Sequence, residues 1–193
     1  MHLHISTRPL AAMSAAAALA LALPATAASD LVNNGGFEDG SLAGWSGTVL
    51  DSPYSGVDCV SGTAAAGTCQ AFLGTFGSTD TLSQDLATTA GQTYAVSFAF
   101  TSDGSVPATF SVSFGGQTLY SAGSPSAGTQ LLSFTGTAAA SSTSLVFSFS
   151  NDPGYYTLDA VSVTAVPEPA TAALMGVGAL ALAAWRRRPH RRR

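Results

Sequence analysis

The chain has 193 residues, a formal net charge of −4 and two cysteines. All seven basic side chains are arginines in the terminal segments, and the three histidines lie there too, so residues 29–165 carry ten carboxylates and no cation. That balance excludes nucleic-acid binding, since a phosphate backbone would be repelled; it removes the His or Lys base of a serine-type hydrolase; and it leaves any buried carboxylate dependent on hydrogen bonds, a shared proton or a metal cation.

At the N-terminus, Arg8 precedes an apolar run from Leu10 to Leu23, closed by the small residues of Pro24-Ala25-Thr26-Ala27-Ala28. That order predicts a secretory signal peptide over 1–28, with a helical apolar core, and so an exported chain. The next domain, 29–165, opens on Leu31-Val32-Asn33-Asn34-Gly35-Gly36-Phe37-Glu38, with Gly44-Trp45 soon after. This stretch resembles the first strand of galactose-binding-like jelly rolls and carbohydrate-binding modules. Cys59 and Cys69 are the only cysteines and both are exported, which predicts a disulfide closing a short loop.

Further along, apolar residues alternate with small polar ones. Tyr94, Val96, Phe98 and Phe100 share one parity, as do Phe110, Val112 and Phe114, and later Leu145, Phe147 and Phe149. Period two marks strands with one buried face, and Gly115-Gly116 marks a tight hairpin. Strands are predicted near 31–34, 47–51, 69–74, 80–86, 93–101, 108–114 with 117–121, 130–136, 144–150 and 156–164. The expected fold is all-β, a single jelly-roll-type β-sandwich with a phenylalanine-rich core.

Tyr155-Tyr156-Thr157-Leu158-Asp159-Ala160-Val161 closes the domain and resembles the last strand of the same modules, with Ala160 where a second Asp is common. The resemblance implies a structural Ca²⁺ where first and last strands meet, held by Glu38 and Asp159. Asp159 shares the parity of Val161 and Val163 and so should face inward, and oxygen-only ligation suits Ca²⁺. The alternative is that Asp159 accepts backbone N–H groups while Glu38 is exposed. Trp45 and Tyr155 are candidates for stacking on a glycan; alternatively Trp45 packs at the edge of the core.

The tail, 166–193, has three parts. Pro167-Glu168-Pro169 comes first, then an apolar span of about 170–185, then Arg186-Arg187-Arg188 and further arginines. This resembles the PEP-CTERM sorting signal of bacteria that make exopolysaccharide. The resemblance implies an exosortase-type membrane enzyme as partner. The apolar span reads as a transmembrane helix, transiently in the inner membrane, with the arginines inside and the β-domain outside. A plain single-span anchor is the alternative.

The sequence therefore points to a non-catalytic protein at the cell surface or in the extracellular matrix. The alternatives are a carbohydrate-binding module for exopolysaccharide, and a polysaccharide-active enzyme, for which no carboxylate pair stands out.

Overall fold

The computed structural model describes residues 28–167, together with residues 176, 178 and 180–182 of the tail, which are helical. The predicted signal peptide lies outside the described residues except for Ala28, as do Glu168, Pro169 and Arg186 to Arg188. No helix among the described residues is long and apolar enough to cross a membrane.

Nine strands form two antiparallel sheets. The five-stranded sheet runs β1 (Gly56–Asp58), β2 (Gln70–Leu73), β9 (Tyr156–Ala165), β4 (Thr93–Ser102) and β7 (Gly128–Thr137); the four-stranded sheet runs β3 (Asp80–Ala87), β8 (Ser142–Ser150), β5 (Thr109–Phe114) and β6 (Gln117–Gly123). The expected alternation holds: Tyr94, Val96, Phe98 and Phe100 on β4 and Leu145, Phe147 and Phe149 on β8 are buried, while the residues between them face outward. Phe110 centres the core, 4.0 Å from Phe100 between ring centroids and within 6.2 Å of Phe98, Phe147 and Tyr156. Such rings supply most of the apolar area that holds two sheets face to face.

Two expectations are corrected. Residues 31–34 form no strand; Asp30 makes one isolated bridge to Thr164, and Leu31 N donates to Val163 O. Residues 47–51, where Thr48, Val49 and Leu50 read as a strand, contain instead a single 3-10 turn, Thr48–Asp51. Gly47 turns the chain there with φ 122°, and only Val49 of the turn is buried. Strand β1 was not anticipated, because Gly56-Val57-Asp58 is too short to show a period.

Strand β9 lies at the centre of its sheet, paired with β2 and with β4. Its register against β4 slips between Ser97 and Ala99, and Ala160 takes a left-handed φ of 49°. One extra residue in β9 therefore changes which parity faces the core. Tyr156 and Leu158 point inward before this bulge, Val161 and Val163 after it.

Candidate functional site

The bulge decides where Asp159 goes. Paired with Ala99, it lies on the outer face of the sheet rather than the inner one, so the inward orientation expected from Val161 and Val163 is corrected. It is nevertheless only 2% exposed, because the loop between the cysteines covers it. That loop is closed by the Cys59–Cys69 disulfide. Asp159 Oδ2 accepts from Ala66 N at 2.8 Å and Oδ1 from Ala160 N at 2.6 Å.

Glu38 grips the end of the same loop from the other side. It accepts from Thr68 N and Cys69 N, both at 3.0 Å, and from the Thr68 hydroxyl at 3.0 Å. The backbone N–H groups of Cys69 and Thr68 lower its pKa below the ordinary value of 4.5. The two side chains flank Gly36, where a Cβ would sit 3.6 Å from Glu38 Cγ and 3.9 Å from Asp159 Oδ1, while the Glu38 carboxylate itself lies against Gly67. No third His, Cys, Asp or Glu joins them among the described residues. A hard cation held here would need backbone carbonyls to complete its shell.

Asn34 organises the loop that presents Glu38. Left-handed at φ 54°, it donates from Nδ2 to Asp39 Oδ1 and to the carbonyls of Ser41 and Ala43. Its own carbonyl accepts from the Trp45 indole N–H at 3.0 Å. Trp45 is 4% exposed, with Phe37 stacked at 5.7 Å and Phe147 tilted at 6.1 Å. Its faces are used inside the core, so a sugar-stacking role for Trp45 is corrected: an enclosed ring offers no face to a pyranose.

Tyr155 is different. It is 46% exposed and packs edge-on against Phe72 at 6.4 Å. The two rings wall an open groove of about 410 Å³ at the β1–β2–β9 edge of the sheet. Gly56 pairs with Phe72, Asp58 with Gln70, and Phe72 with Thr157, so Phe72, Asp58, Gln70 and Thr157 share the outer face. Asp58 accepts from Val60 N and Ser61 N, and hydrogen bonding from Ser61 and Val60 lowers its pKa below the ordinary 3.8. The groove thus combines an aromatic wall with an ionised acceptor, an amide and a hydroxyl, a set suited to a polyhydroxylated ligand. Of these residues only Tyr155 was anticipated. The parity of Gln70 and Phe72 opposite Ala71 and Leu73 is the signal that marks Phe72 as an outward-facing aromatic.

A smaller cleft of about 270 Å³ lies beyond it, lined by Thr48, Asp51, Tyr54, Phe76 and Asp80 among others.

Residues 165–188 match the PEP-CTERM protein-sorting motif. None of the curated proteins compared with the chain matches it. Among solved structures, the chain is similar to TmCBM61 in complex with β-1,4-galactotriose, with 20% identity and a TM-score of 0.57, over 72% of this chain and 99% of that one. It is also similar to the CBM22-1–GH10 modules of Clostridium thermocellum endo-1,4-β-D-xylanase 10B complexed with xylohexaose (15% identity, TM-score 0.55), over 72% of this chain and 29% of that one. A third is the K1 cleaved adhesin domain of Lys-gingipain from Porphyromonas gingivalis, at 13% identity and TM-score 0.51, over 66% and 96% of the two chains. The domain is thus a β-sandwich with the fold of carbohydrate-binding modules. The chain that carries it ends in a PEP-CTERM sorting motif.

Proposed function

We propose that this is an exported, non-catalytic carbohydrate-binding protein, processed at Pro167-Glu168-Pro169 by an exosortase-type membrane enzyme and retained at the cell surface or in the polysaccharide matrix. In this reading 1–28 is a signal peptide, 29–165 a jelly-roll-type sandwich, and 166–193 a sorting tail with a transient membrane helix over about 170–185. The arginines from Arg186 to Arg188 stay inside.

The groove formed by Phe72 and Tyr155 carries the proposal. Two partly open rings beside Asp58, Gln70 and Thr157 offer stacking and directed hydrogen bonds in one place. The fold supports it, and so does the ligand named for TmCBM61. Affinity electrophoresis in gels containing β-1,4-galactan or xylan is the test. Wild type should be retarded, and Tyr155→Ala should weaken binding about tenfold, as expected for a lost stacking contact worth ~1.4 kcal/mol. No retardation in any neutral polysaccharide, or release of reducing ends by the wild type, would sink this reading. Mass spectrometry of the mature protein tests the processing; a C-terminus still bearing Arg193 in envelope fractions counts against it.

Glu38 and Asp159 are proposed to hold a structural Ca²⁺ with nearby backbone carbonyls. Two carboxylates hold neighbouring stretches of one disulfide-closed loop in a domain without cations, which is the setting a hard cation would neutralise. Chelation with EDTA should lower the melting temperature, and Asp159→Ala should remove that sensitivity. Identical melting with and without EDTA refutes the site.

A further inference from the structure

The groove does not end at Tyr155. Beyond it, Tyr54 and Phe76 stack at 6.0 Å with an interplanar angle of 30° and stand 41% and 70% exposed. A phenylalanine ring that open gains nothing from folding, and exposed aromatics of this kind mark contact surfaces. The cleft they wall also holds the hydroxyl of Thr48 and the carboxylates of Asp51 and Asp80. Neither carboxylate accepts a hydrogen bond among the described residues, so both keep acceptor capacity for a ligand.

Gly74 joins the two sites. It is buried, and a Cβ there would lie 2.6 Å from Tyr155 Cε1 and 2.7 Å from the main-chain carbonyl of Tyr54, so the Tyr155 ring and the backbone that carries Tyr54 close over the same point. Phe72 and Phe76 are four residues apart, a span of at most about 14 Å. That suits an oligosaccharide rather than a single sugar. Every ionisable side chain lining the two sites is a carboxylate or a phenol, within a domain whose side chains sum to −10. A uronate or sulfated chain would be repelled along its whole length.

We infer that the Tyr54–Phe76 cleft is a second subsite continuous with the Phe72–Tyr155 groove, and that an uncharged polysaccharide passes over the Tyr155 ring from one to the other. Aromatic rings take the C–H faces of successive sugars, and Asp51 and Asp80 accept from their hydroxyls. This rests on the carbohydrate-binding reading above, and chain length separates the two.

The probes are β-1,4-galactotriose, long-chain β-1,4-galactan, xylan and alginate, titrated calorimetrically against the full chain and its variants. Phe76→Ala should weaken binding of the long neutral chain about tenfold, the loss of one stacking contact, while leaving the trisaccharide unchanged. Tyr155→Ala should weaken both. Phe76 is mostly exposed, so its truncation should leave the melting temperature unaltered and the comparison valid. Long-chain affinity unchanged in Phe76→Ala, with Tyr155→Ala still defective, overturns the second subsite and spares the groove. Alginate binding as tight as galactan overturns the neutral-ligand assignment. A wild type that binds none of the neutral probes overturns both.

Discussion

Glu38 shows how a domain without cations keeps its carboxylates ionised. Its partners are the backbone N–H groups of Thr68 and Cys69 and a hydroxyl, and these favour the charged form. A carboxyl whose folded pKa lies below its ordinary 4.5 contributes stability above that pH, lost as the pH falls through the lower folded value. Melting curves of wild type and Glu38→Gln should therefore differ at neutral pH and converge on acidification below 4.5. Comparing the two cancels the general relief of repulsion that protonating the other acids brings. A constant gap would contradict the assignment. The scarcity of cations was legible from composition alone, and with it the need for backbone donors or a metal. That Trp45 is closed in was not. Its indole partner is the Asn34 carbonyl, eleven residues back, and only the left-handed Asn34 brings it there.

At the scale of elements, alternation placed β3, β4, β5, β8 and β9 within a few residues of their true limits, because one face of each meets the core. The same rule misassigned Asp159, since a bulge at Ala160 resets the parity within a strand whose residue types look uniform. It also held unused information: Phe72 alternates with buried Ala71 and Leu73, and an aromatic on the outer parity is a binding-site signal. The loop from Cys59 to Cys69 contributes mainly through its crosslink. With a sequence separation of 10, closing it removes about 3 kcal/mol of unfolded-state freedom. Reduction, or Cys59→Ser with Cys69→Ser, should lower the melting temperature by roughly 10 °C, read by circular dichroism. The loop also covers Asp159, so exposure of that carboxylate should rise with it.

For the whole molecule, the two ends of the sandwich differ. Tyr54, Phe76 and Tyr155 cluster at the end where β9 begins, near the turns after β2 and β8. Strand β9 leaves at the opposite end, where Val166 N donates to Thr93 O and Gln92 Nε2 donates to Val166 O. The Pro-Glu-Pro segment begins at the next residue, Pro167. Ten residues of β9 separate the poles by about 33 Å.

Were a ligand at Tyr155 and the tail pulled apart, β9 would join the two points directly, since it runs from Tyr156 to Ala165. Both points lie on one strand, so the tension runs along its covalent backbone, and the antiparallel hydrogen bonds to β2 and β4 lie across the line of force. Set in the middle of the sheet rather than at an edge, that strand is braced on both sides, so the two ends of the domain keep a fixed relation while it bears tension.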